Sequence, residues 1–108
     1  MPAAEDVRPQ KWQNSSVLFD NGWYSVISGI YDGGDHAVLG ERWNGGGDEL
    51  GFPNQSGYPT WHVVPDFLAI ALLEGLLDEL ASHRTEMSAE YAERIVQELR
   101  IQHKRRCK

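Results

Sequence analysis

Residues 58–81 read YPTWHVVPDFLAIALLEGLLDELA, and the spacing of the apolar residues changes at Pro65. Before it, Thr60, Trp61, His62, Val63 and Val64 are branched or aromatic residues alternating with period two, which fits a half-buried strand. Proline has no N–H for a ladder but is comfortable in a first helical turn, and Asp66 beside it places a carboxylate at the positive end of the helix dipole. The spacing therefore predicts a helix from Pro65 or Asp66. Leu73, Leu76, Leu77 and Leu80 recur on one face of it, whereas Phe67 to Leu73 run without a polar break. A turn that is apolar all round needs cover on more than one side. A second copy of the chain could supply it, so a homodimer is expected, with Phe67, Leu68, Ala71 and Leu72 in the interface.

Upstream, Val17–Phe19 lead into Asp20-Asn21-Gly22, a strong hairpin signal, and Trp23–Tyr31 alternates two well-filled faces as a central strand does. Asp32-Gly33-Gly34-Asp35 is a second turn, and His36–Trp43 a third strand. Downstream, Ser88 is read as the N-cap of a second helix with Tyr91, Ala92, Ile95, Val96 and Leu99 as its apolar stripe. The expected fold is α+β: an antiparallel meander of about four strands followed by two antiparallel helices packed on one face. Residues 1–15 read as a loose N-terminal arm, 16–103 as a single domain and 104–108 as a basic tail.

The 108 residues suffice for one core without staples. The formal charge of −6 is divided: Arg100, Lys104, Arg105, Arg106 and Lys108 place five positive charges in the last nine residues, leaving −11 on residues 1–99. An acidic body disfavours nucleic acid, although a basic tail can act as a nucleic-acid arm; cations there also suit the C-terminal end of a helix dipole. The single Cys107 fits a reducing, cytoplasmic setting, and neither a leader nor a membrane span is expected.

Chemistry-bearing motifs are few. His36, His62, His83 and His103 lack zinc spacing, Gly45-Gly46-Gly47-Asp48 lacks the Gly-Lys-Ser/Thr of a phosphate loop, and no nucleophile elbow occurs. No metal, cofactor or catalytic residue is assigned. The remaining signal is the loop Asn44–Tyr58, with five glycines, bracketed by aromatic residues. Trp43, Phe52, Asn54, Tyr58, Trp61 and His62 are the candidate binding residues, since rings with a few polar groups build pockets and interfaces alike. Trp43 and Trp61 facing each other as a core pair is the plainer alternative. The first functional reading is a non-enzymatic binding or protein-interaction module. A small hydrolase or isomerase using His62 with Glu41 or Asp48, and a nucleic-acid-associated regulator using the tail, are the alternatives.

At residues 42–80, RWNGGGDELGFPNQSGYPTWHVVPDFLAIALLEGLLDEL, and in the strands before them, the chain resembles small proteins of unassigned activity encoded on bacterial integron gene cassettes and other mobile elements. The resemblance implies a bacterial cytosolic setting, a stand-alone domain and a tendency to self-associate or bind. It assigns no active residue.

Overall fold

In a computed structural model, residues 3–47, 49–55 and 57–106 are described, Arg106 by its backbone only. The fold is α+β, with strands β1 (Trp12–Asp20), β2 (Tyr24–Tyr31), β3 (Val38–Trp43), β4 (Asn54–Gln55), β5 (Tyr58–Pro59) and β6 (His62–Val63) and helices α1 (Asp66–Ser82) and α2 (Ser88–Arg106). It divides into two compact units, one ending at Pro65 and one beginning at Asp66.

In the first unit β1, β2, β3 and β6 form an antiparallel sheet in that order, and β4 and β5 form a separate small hairpin. The β1–β2 turn uses both residues of Asn21-Gly22, but differently. Gly22 takes φ +98°, while the Asn21 side chain accepts the backbone N–H groups of Trp23 and Tyr24 at 3.1 and 2.9 Å. The next turn puts both Asp32 and Gly33 at positive φ and closes with Gly34 N–H on the Tyr31 carbonyl.

The register places Ser25, Ile27, Val38, Gly40 and Arg42 on one face and Tyr24, Val26, Leu39, Glu41, Trp43 and His62 on the other. On the first face Ile27, Trp12 and Trp61 are buried together with Ala4 and Val7. The segment read as a loose arm is thus part of the core as far as it is described. A 3-10 turn at Ala4–Asp6 seats two side chains there, β1 begins already at Trp12, and the Trp61 indole N–H donates to the Val7 carbonyl at 2.9 Å. Gly40 makes room for this cluster, because a Cβ there would lie 2.8 Å from the Trp12 ring and 3.0 Å from Trp61 Cβ.

The second unit is an αα-hairpin. Of the expected leucine face of α1, Leu73, Leu76 and Leu80 are buried, together with Ala69, while Leu77 is half-buried. On α2 the buried positions are Tyr91, Ile95, Glu98 and Gln102, not the apolar stripe expected: Val96 is exposed and Leu99 half-buried. Glu98 accepts from Gln102 at 3.2 Å, Gln102 accepts from Arg105 at 3.3 Å, and Arg105 also donates to Asp66 at 3.2 Å. That chain of bonds ties the end of α2 to the start of α1 and makes the hairpin antiparallel. Ser88 is not the N-cap. Its hydroxyl reaches back to Thr85 N–H at 2.8 Å while Thr85 Oγ1 accepts Met87 N–H at 3.3 Å, a capping box centred on Thr85. Three residues of the expected basic tail, Lys104–Arg106, continue the helix; Cys107 and Lys108 lie outside the described residues.

Candidate functional site: an aromatic shelf on a clamped loop

Arg42 decides the shape of the Gly-rich loop. Its side chain is 1 % exposed and has no ion pair with a carboxylate among the described residues. Instead Nη1 donates to the carbonyls of Thr60 at 2.8 Å and Pro53 at 3.3 Å, Nη2 donates to the carbonyl of Leu50, and the guanidinium lies 5.9 Å from the Trp61 ring. A planar fork with five donors suits several carbonyls at once, which a lysine could not match. Burial pushes the Arg42 pKa down, and its Nε is buried without a hydrogen-bond partner among the described residues. The loop closes further where Trp43 and Phe52 exchange both backbone hydrogen bonds, at 2.7 and 2.8 Å. Gly51, at φ +78°, is required beside them, since a Cβ there would overlap the Trp43 carbonyl oxygen.

A second polar network fixes the neighbouring hairpin. Buried Ser25 donates to Asn44 Oδ1 at 2.8 Å, Asn44 Nδ2 donates to Asp20 at 3.1 Å, and Asp20 also accepts Gly22 N–H and Ala4 N–H. Asn44 N–H adds a bond to the Trp23 carbonyl at 2.8 Å. These bonds bring Trp23 against Trp43, their rings stacked at 5.3 Å and 16°. Tyr24 leans on Trp43 at 4.9 Å and donates its hydroxyl to Glu41 at 2.9 Å. Burial first, then the hydrogen bond to Glu41 and its charge, hold the Tyr24 pKa well above the usual phenol value.

The candidate binding residues are therefore divided. Trp43, Phe52 and His62 come together, Phe52 meeting the His62 ring edge-on at 5.2 Å. With Trp23 they form a shelf on which Trp23 is 58 %, Trp43 50 % and Phe52 57 % exposed. Trp61 belongs to the buried core of the opposite face, so the proposed Trp43–Trp61 core pair does not form. Asn54 donates to the Gly51 carbonyl at 3.2 Å and shapes the loop. Tyr58, 75 % exposed, stands on the β4–β5 hairpin and lines a different feature, a cleft of about 840 Å³ against the N-terminal segment. Sequence reading missed Trp23 as a site residue and Arg42 altogether; Trp23 directly after Asn-Gly was the available signal.

His62 does sit opposite Glu41 in the β3–β6 register, but Glu41 is engaged by Tyr24; Asp48, the other carboxylate considered, lies outside the described residues. Among the described residues no three His, Cys, Asp or Glu side chains are grouped to hold a metal ion, and no helix is long and apolar enough to cross a membrane. On the second unit, Phe67 is 72 % and Leu68 45 % exposed, Ala71 is exposed and Leu72 half-buried. No family model matches the chain, and neither a curated protein nor a solved structure matches it.

Proposed function

We propose that this protein is a non-enzymatic binding module of the protein-interaction kind, whose contact surface is the shelf of Trp23, Trp43, Phe52 and His62. The Trp23–Trp43 stack carries this reading: two large rings are held by buried hydrogen bonds yet left half or more in water. Rigid exposed aromatics lose little conformational entropy on contact and supply most of the energy where proteins meet. The Arg42 clamp keeps the loop in shape before any partner arrives, which lowers the ordering cost of binding. A cytoplasmic, cassette-encoded bacterial setting goes with this reading and rests on the lone Cys107 and the sequence style.

A displayed peptide library selected on the intact protein tests the proposal. Enriched peptides should lose roughly 30-fold in affinity when Trp43 or Trp23 is replaced by Ala, the size of a hot-spot truncation. Peptides that bind the two variants as well as wild type, or a library that yields no binder, would remove the shelf from consideration.

We also propose that the chain is a homodimer through the first turns of α1. Its support is the exposure of Phe67, Leu68 and Ala71 in consecutive turns of one helix. Paired identical patches are the commonest way for a small protein to cover such a surface.

A further inference from the structure

We infer that the cleft between the N-terminal segment and the β4–β5 hairpin binds an organic anion bearing a flat ring, a ligand class distinct from anything the shelf selects. Arg8 and Lys11 contribute from the N-terminal segment, Gln55 and Tyr58 from the hairpin, and Tyr31 and Trp61 complete the lining. The volume, about 840 Å³, lies in the range of small-molecule sites.

Three observations point to the anion. Arg8 spends only its Nε, on the Glu5 carbonyl at 2.8 Å, and its two terminal nitrogens meet no acceptor among the described residues. Lys11 has no ion pair among them either, although the chain holds 16 carboxylates against 10 lysines and arginines. Asp6 also lines the cleft but comes within ion-pair distance of neither cation. Two cations lining one cleft of an acidic protein, without counter-ions among the described residues, make a local site for negative charge, and a guanidinium can grip a carboxylate or phosphate with two bonds.

The ring follows from the remaining walls. Tyr58 is 75 % exposed, and the Tyr31 ring packs against Trp12 at 5.1 Å. The Trp61 indole N–H, bonded to the Val7 carbonyl, anchors the cationic segment beside these rings, so that charge and stacking surface are fixed together. An aromatic carboxylate and a nucleoside monophosphate share this chemistry.

Amide chemical-shift titration of the full chain with benzoate, AMP, inorganic phosphate and neutral benzyl alcohol separates the sources. Saturable shifts at the amides of Arg8, Lys11, Tyr31, Gln55, Tyr58 and Trp61 are expected with benzoate or AMP, at a Kd of about 1 mM or tighter. Saturation by benzoate alone assigns an aromatic acid, and by AMP alone a nucleotide. Phosphate and benzyl alcohol should each bind at least tenfold more weakly, and the Arg8→Gln/Lys11→Gln double variant should lose at least tenfold for the ring-bearing anion while its other amide positions stay unchanged. No saturation by either anion, equal binding of the neutral alcohol, or a double variant that binds like wild type would overturn the assignment.

Discussion

A buried guanidinium must satisfy its donors, and among the described residues Arg42 does so on the carbonyls of Leu50, Pro53 and Thr60. Hydrogen bonds to a charged group contribute about 1.5–3 kcal/mol each, and carbonyls stranded in the interior cost more still. Arg42→Ala should therefore destabilise the fold by roughly 3 kcal/mol in urea unfolding and strip amide-exchange protection from Trp43 and Phe52; a change under about 0.5 kcal/mol would show that the clamp contributes little. Tyr24 makes a pH-dependent prediction. The folded chain keeps a phenol proton that the unfolded chain releases near pH ~10, so this contribution is complete below that pH and is lost as pH rises towards the elevated folded value. Wild type should lose more stability than Tyr24→Phe between about pH 9 and 11.5, and equal losses would contradict the Tyr24–Glu41 arrangement. Neither residue's role was legible beforehand. Alternation placed Arg42 correctly on the face opposite Glu41 and Trp43, but its partners are backbone carbonyls, which carry no sequence signature.

Among the elements, legibility followed the strength of the local code. Alternation over Trp23–Tyr31 gave that strand and its two faces, and the leucine spacing of α1 gave three of its buried positions, Leu73, Leu76 and Leu80. Helix α2 was harder, because two of its buried positions are Glu98 and Gln102, polar side chains that bond each other, Gln102 accepting in turn from Arg105. The N-terminal segment was misread for a related reason. Ala4 and Val7 are small and isolated in sequence, and it is Trp12, Ile27 and Trp61, the last far along the chain, that make them core. The capping box gives a test at this scale: Ser88→Ala leaves Thr85 N–H without its acceptor and should cost about 1 kcal/mol, measured as a lowered unfolding midpoint at unchanged m-value. Asp66→Asn, which breaks a partly exposed pair with Arg105, should cost less than Ser88→Ala. The reverse ranking would place the stability of the hairpin in its charges rather than its cap.

At the scale of the whole molecule, two exposed apolar surfaces have different consequences. If Phe67 and Leu68 seat a second copy, wild type sediments as a dimer at micromolar concentration and Leu68→Glu as a folded monomer; a wild-type monomer would refute the homodimer. The shelf, by contrast, is where a different protein is expected. The four tryptophans report on this without any label, since Trp23 and Trp43 lie on the shelf whereas Trp12 and Trp61 are buried beneath the opposite face of the sheet. The decisive measurement is the set of four indole N–H resonances during titration with a peptide selected on the wild-type protein. Binding at the shelf shifts the Trp23 and Trp43 resonances along one saturable curve and leaves those of Trp12 and Trp61 in place. Movement of Trp61 with Trp23 and Trp43 unmoved would locate recognition at the cleft, and contradict the shelf as the binding surface.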